Sequence, residues 1–244
     1  QALISASSSL SLVRANNMWS KHPQYITARK NFSSSFTPGK LTKLTYFIPK
    51  VIFICGGNES NCKNRKIIEN YFLRHLPKFL TFRAEDAWEV ISKDKKENVL
   101  ALEEWLADFS DIIIILVESF GTAAELGAFA LSNPLRKKLL PIIDRAYRKD
   151  ESFINTGPIR WVDKESKFKP TIYANFETIL TCLPELENRI NRRTIETTSR
   201  TFGNYKFSTK VMLFFLVHLV SALGPITIKE IVGITNDIIE YKDK

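Results

Sequence analysis

Residues 111–131 read DIIIILVESFGTAAELGAFAL, and the fold is decided there. Ile112 to Val117 is an unbroken apolar run, five of its six residues β-branched, as suits a strand buried on both faces of a parallel sheet. Glu118-Ser119-Phe120-Gly121 interrupts it with residues that permit a sharp turn. Ala123, Ala124, Glu125, Leu126 and Ala128 then favour a helix, with Thr122 as the expected N-cap, accepting from a backbone N–H near Glu125. Strand, tight turn and helix form the unit that holds ligands at the carboxyl end of a parallel strand. On this reading Glu125 lies in the first helical turn, where the macrodipole favours its ionised form.

Outward from this stretch, strands alternate with helices. Residues 51–57 (VIFICGG) read as a strand ending in two glycines, followed by a polar loop over 58–64. The spacing of Ile67, Ile68, Phe72 and His75/Leu76 predicts a helix over 65–76. A second strand is expected over 79–84, with Glu85-Asp86 at its end. A helix over 99–109 turns Trp105, Leu106 and Phe109 inward, with Glu103 facing either a pocket or solvent. Strands over 138–143 and 171–174 and a closing helix over 177–190 complete the pattern. It predicts an α/β domain, a doubly wound parallel sheet, over residues 49–190. Gly56 and Gly57 would let backbone approach a sugar or phosphate closely, but they fall short of the three-glycine dinucleotide fingerprint, and a simple turn also accounts for them.

The flanks differ in character. The first 50 residues hold seven Lys or Arg and no Asp or Glu, so most of the net charge of +9 lies there. Residues 1–48 read as a basic arm, either touching a polyanion or simply solvated; Pro23, Pro38 and Gly39 and the lack of an amphipathic repeat argue against a targeting peptide. Residues 191–205 are polar and basic and read as a linker. Residues 206–244 read as an apolar helix to Leu223, a short helix over 227–232, a turn at 233–236 and the start of a third helix, a helix-turn-helix-like region that stops before a wing. A winged-helix domain cut short, or a dimerisation appendage, would fit. Arg14, Lys21, Arg29, Lys30, Arg189, Arg192 and Arg193 are the candidate contacts to nucleic acid. The longest apolar run, Val211 to Val220, is ten residues and contains His218, too short for a membrane span. Cys55, Cys62 and Cys182 fit neither a metal-ligand nor a disulfide spacing, so no metal is expected and a reducing cytoplasm is the expected setting.

Phe53-Ile54-Cys55-Gly56-Gly57, Leu102-Glu103, Glu118-Ser119-x-Gly121-Thr122-x-x-Glu125-Leu126-Gly127-Ala128-Phe129 and Ser152-Phe153-Ile154-Asn155-x-Gly157-Pro158 together resemble the nucleoside 2-deoxyribosyltransferase-like effectors of bacterial retrons over about residues 51–160. The resemblance implies a bacterial cytoplasmic toxin of an anti-phage system, an N-glycosidase acting on NAD as substrate with no cofactor. It implies restraint by a retron reverse transcriptase bound to multicopy single-stranded DNA with its RNA, in a homo-oligomer or larger assembly. Carried over by position, Glu125 takes the place of the nucleophilic carboxylate, and Gly56 and Gly57 that of the glycine turn near the sugar. Glu118, Ser119, Gly121 and Thr122 form the pocket edge, and Glu85 and Asp86 stand where a base- or sugar-contacting acid is found.

The chemistry asks for these residue types. Breaking a sugar–base bond passes through an oxocarbenium-like state, and a carboxylate on the opposite face either stabilises the cation or attacks it. Nicotinamide departs neutral from a cationic nucleotide and needs no general acid, whereas adenine or guanine needs a proton donor. His22, His75 and His218 lie outside the motif blocks, which favours NAD; Glu85, Asp86 or Glu118 would donate a proton if burial raised its pKa. Each residue also has a plain reading. Glu125 is then a helix charge, Glu118 a solvated turn residue, Asn155 a bond to its own loop, and Trp105 and Phe129 core packing. Two other functions remain open: a deoxyribosyltransferase of base salvage, and a non-catalytic nucleotide sensor.

Overall fold

The computed structural model describes residues 22–35, 45–46, 49–57, 62–86, 99–194, 200–201, 209–223 and 226–240. The chain divides into two compact units, residues 49–197 and residues 1–48 with 198–244.

The first unit is an α/β fold around a five-stranded parallel sheet. In chain order its elements are β1 (Lys50–Cys55), α1 (Asn64–His75), β2 (Phe79–Phe82), α2 (Val99–Phe109), β3 (Ile112–Val117), α3 (Phe120–Leu131), α4 (Asn133–Arg136), β4 (Leu139–Asp144), α5 (Arg160–Glu165), β5 (Ile172–Ala174) and α6 (Leu183–Thr194). The strand order is β2-β1-β3-β4-β5, every pairing parallel. Because side chains alternate along a strand, β1 and β3 feed two cores. Ile52, Ile54, Ile112, Ile114 and Leu116 pack with Ile68 and Phe72 of α1 and Leu186 and Ile190 of α6. Phe53, Cys55, Ile113 and Ile115 pack with Ala107 of α2, Leu126 and Phe129 of α3 and Val162 of α5. Ile112 to Leu116 are all buried, the condition that the β-branched run anticipates. The chain leaves β1 towards β2, then crosses back to β3 on the other side. The order reverses between β1 and β3, and such a switch point is where open parallel sheets bind ligands.

Several local expectations are corrected. The strand over 51–57 ends at Cys55, leaving Gly56 and Gly57 in the turn. The N-cap of α3 is Ser119, and Thr122 is its third residue; the two side chains form a reciprocal capping box. Glu125 therefore lies in the second turn, beyond the reach of the terminal dipole. Residues 176–182 form a 3-10 helix before α6, and α6 runs on to Thr194, into the segment read as a linker. Trp105 is 44% exposed, stacked on Phe109 rather than buried, while Phe129 is core. His75 and His218 are exposed, not core residues.

The second unit contains helices Pro23–Ser35, Thr209–Leu223 and Ile228–Glu240, and the two-residue strands Thr45–Tyr46 and Arg200–Thr201 pair antiparallel. Arg200 thus belongs to a strand rather than a linker. The last helix passes through Gly233 without the expected turn at 233–236. Its start is capped reciprocally: Glu230 accepts from the Thr227 N–H at 2.9 Å and hydroxyl at 2.8 Å, and the Glu230 N–H donates back to that hydroxyl at 3.3 Å. Gly233 is a packing glycine, since a Cβ there would lie 2.5 Å from the Arg29 guanidinium, which reaches across to Asp237 at 3.1 Å. Between residues 212–223 and 228–237 the helical axis bends by 113°. Among the described residues no single helix is long and apolar enough to cross a membrane.

Candidate functional site

The carboxyl ends of β1 and β3 meet at the switch point, and the turns that leave them build the site. After β3, the Ser119 and Glu118 N–H groups donate to Thr122 Oγ1 at 3.0 and 3.2 Å, and the Thr122 N–H donates to Ser119 Oγ at 3.2 Å. Thr122 is buried, and with Ser119 it shapes the turn; both polar groups are spent on backbone and on each other. Their expected role at the pocket edge is thus a structural one. Gly121 is exposed, and a Cβ there would meet nothing closer than Ser119 Oγ at 3.7 Å.

The two glycines after β1 are required by protein packing, not by open approach to a sugar. A Cβ on Gly56 would lie 2.8 Å from Cβ and 2.9 Å from Cδ of Arg65; one on Gly57 would lie 2.3 Å from Cys62 Sγ. The Gly57 N–H donates to Glu118 Oε1, and Asn64 Nδ2 to Glu118 Oε2, each at 3.2 Å. Glu118 therefore joins the turn after β3 to the turn after β1 and to the start of α1. Burial raises its pKa, against the Gly57, Asn64 and Arg65 contributions.

Glu125 projects from the second turn of α3. Burial is the largest of the forces that raise its pKa from 4.5 to about 7; Glu103 and Glu85 add to it, while the Cys55 thiol and Arg65 oppose it. This reverses the expectation from the helix dipole: desolvation beside like charges outweighs a terminal field that does not reach the second turn. Cys55 ends β1, is buried, and its thiol is held firmly protonated by burial and by the Glu125 and Glu103 charges, so it serves as donor to Glu125. Glu125 Oε2 is buried with no hydrogen-bond partner. Glu103, on α2, is also raised, by burial and then by Glu85.

Three of the sequence-predicted acids, Glu85, Glu103 and Glu125, are thus close enough to feel one another. Their counter-charge, missed in the sequence, is Arg65: its side chain is 5% exposed and bonds both oxygens of Glu85, Nη2 to Oε1 at 2.8 Å and Nη1 to Oε2 at 3.2 Å. A signal was present, because Lys63, Arg65 and Lys66 put cations at a helix start, where the dipole disfavours them. Among the described residues no group of three or more His, Cys, Asp or Glu is placed to hold a metal ion.

Other expected site residues are engaged elsewhere. Asp86 is exposed and accepts from the Arg83 N–H at 3.3 Å. Asn155 donates to the carbonyls of Tyr147 at 2.7 Å and Asp150 at 2.8 Å, holding its own loop. Arg189 is committed to Glu185 and to the carbonyls of Phe168 and Pro170, and Arg29 to Asp237. Those two guanidiniums stabilise the protein and are not free contacts to nucleic acid. Lys30 is exposed. Arg14 and Lys21 lie outside the described residues, as do the side chains of Arg192 and Arg193.

The chain is similar to two Escherichia coli proteins, named as provisional ribosyltransferase/DNA-binding proteins of the retrons Ec73 and Ec86. Identity to the Ec73 protein is 35% over 140 residues, 55% of this chain and 44% of that protein. Identity to the Ec86 protein is 35% over 131 residues, 52% of this chain and 43% of that one. The aligned region thus spans less than half the length of either relative. A match to the family of the STM3845 retron effector protein covers residues 61–244, three quarters of the sequence and both compact units. The chain belongs to this retron effector family.

Proposed function

We propose that this retron effector is an N-glycosidase that hydrolyses the nicotinamide–ribose bond of NAD or a related nucleotide, with Glu125 as the carboxylate that meets the anomeric carbon. The observation that carries the proposal is the buried, unpartnered Oε2 of Glu125 at the sheet's switch point. An unsolvated carboxylate oxygen gains most from a cation placed against it, and the oxocarbenium-like state is such a cation. Glu103 and Glu85 add to the negative field. A substrate that brings a positive charge, as a pyridinium nucleotide does, lowers the cost of ionising Glu125 on binding.

The C1′–N bond breaks, and its electron pair leaves with nicotinamide, which departs neutral. Glu125 either holds the cation or forms an ester with C1′. Water then supplies the oxygen at C1′ and releases its proton, regenerating the carboxylate. A purine leaving group would need a proton, and Glu103 and Glu125, both raised, are the groups that would carry one at neutral pH. The fold type of this reading is a doubly wound, nucleoside deoxyribosyltransferase-like sheet. The names of the relatives favour a second reading on the same site, in which the glycosyl group passes to an acceptor other than water.

The helical unit is assigned to nucleic acid. The relatives are named DNA-binding, and two helices bent by 113° across a short break have the geometry of a helix-turn-helix. The restraint of the toxin by a reverse transcriptase with its RNA–DNA product belongs to this proposal and is supported by the retron family match.

Purified protein incubated with NAD and with deoxynucleosides, followed by chromatography of the products, separates the readings. Nicotinamide with ADP-ribose supports hydrolysis, and a new glycosylated acceptor supports transfer. No base release from any of them would overturn both.

A further inference from the structure

The charges at the switch point do not balance in the usual way. Glu85, Glu103, Glu118 and Glu125 surround one guanidinium, Arg65, whose field opposes the rise in pKa of both Glu118 and Glu125. Arg65 is almost wholly buried, yet its ion-pair partner Glu85 is 60% exposed. Its Nε is buried with no hydrogen-bond partner. Burying a guanidinium with one donor unsatisfied costs free energy that a surface ion pair does not repay. Gly56, meanwhile, is closed against the Arg65 stem, where any β-carbon would collide with it at 2.8–2.9 Å. The turn after β1 thus packs closely over a cation that stability alone would not favour.

We propose that Arg65 is the positioning residue of the site: braced beneath Gly56 and clamped on Glu85, its guanidinium supplies the positive field that keeps Glu125 able to ionise. This inference rests on the glycosidase reading for its catalytic consequence, but not for its electrostatic content. The groups that face Glu125 are the Cys55 thiol at the end of β1, Glu103 on α2, Glu85 after β2 and Arg65 on α1. Two of them are acids that raise its pKa and one is a neutral donor, so Arg65 is the charged group among them that favours the carboxylate. A lysine would keep the charge but lose the planar fork that holds both oxygens of Glu85.

The test is a titration of the Glu125 side chain in the full-length protein by carbon NMR of labelled glutamate, with the resonance assigned by its loss in E125Q. Base release from NAD is measured over the same pH range. In R65M the Glu125 midpoint moves upward from about 7 by roughly half a pH unit or more, R65K recovers part of the shift, and the rising limb of base release moves with it. An unmoved midpoint in folded R65M, or R65K displaced as far as R65M, would overturn the proposal. Should R65M fail to fold, E85Q decides, since Glu85 is largely exposed: relieved of that acid, Glu125 titrates lower, and an unchanged midpoint counts against the arrangement. If E125Q released base at the wild-type rate, the glycosidase reading would fail while the titration still judged Arg65.

Discussion

At the scale of single residues, Glu125 links stability to chemistry. Its carboxyl titrates near 7 in the folded chain against an ordinary 4.5. The folded state therefore holds a proton that the unfolded chain gives up between those values. The stability this confers is fully present below pH 4.5 and is lost as pH rises through about 7. Glu125→Gln removes the cost of ionisation. We expect the variant to be more stable than wild type by roughly 1–3 kcal/mol at pH 8, and the two to melt alike at pH 4. Thermal denaturation at both pH values checks this. Catalysis needs the opposite form, so base release should climb with pH through the same region, read from kcat/KM profiles. Glu125 itself was legible in the sequence, because a Glu-Ser-x-Gly-Thr-x-x-Glu block after a β-branched run fixes which element carries it. Its ionisation was not legible. The dipole argument needs only sequence position, whereas the acids and the thiol that oppose it come from three distant segments. Arg65 escaped for a related reason: nothing local distinguishes a buried arginine from a solvated one on the first turn of a helix.

At the scale of elements, two turns hold the site, and their glycines answer differently to substitution. Gly57→Ala would drive a methyl group to 2.3 Å from Cys62 Sγ, beside the backbone amide that holds Glu118. We expect it to cost about 1–3 kcal/mol, an overpacking penalty, whereas Gly121→Ala should change stability by less than about 1 kcal/mol, since nothing lies nearer than 3.7 Å. Chemical denaturation of the two variants side by side tests the contrast. Ser119→Ala breaks the capping box that begins α3 and should cost about 1 kcal/mol by the same measurement. The sequence places this helix correctly but shifts its cap by three residues, because Ser119 and Thr122 are both competent caps and their reciprocal bonds become visible only with the turn in place. The final helix shows the opposite error. Gly233 with Thr235 and Asn236 reads as a turn, but in the structure the glycine makes room for Arg29, a residue some two hundred positions earlier.

At the scale of the whole molecule, the two compact units give separable readouts. Arg29→Ala removes the ion pair to Asp237 within the helical unit. It should loosen that unit and leave base release by the α/β unit unchanged, which hydrogen exchange and the glycosidase assay on the same sample would distinguish. The five-stranded parallel sheet was legible because buried strands announce themselves as runs of isoleucine. The grouping of residues 1–48 with 198–244 was not, since no periodicity within either segment encodes contacts between them. Base release by Glu125→Gln, at pH 8 and with folding verified, tests the glycosidase assignment most directly. We expect the variant to release nicotinamide at least about a hundredfold more slowly than wild type while remaining folded. Release at the wild-type rate would contradict the assignment of Glu125 to the reacting sugar carbon.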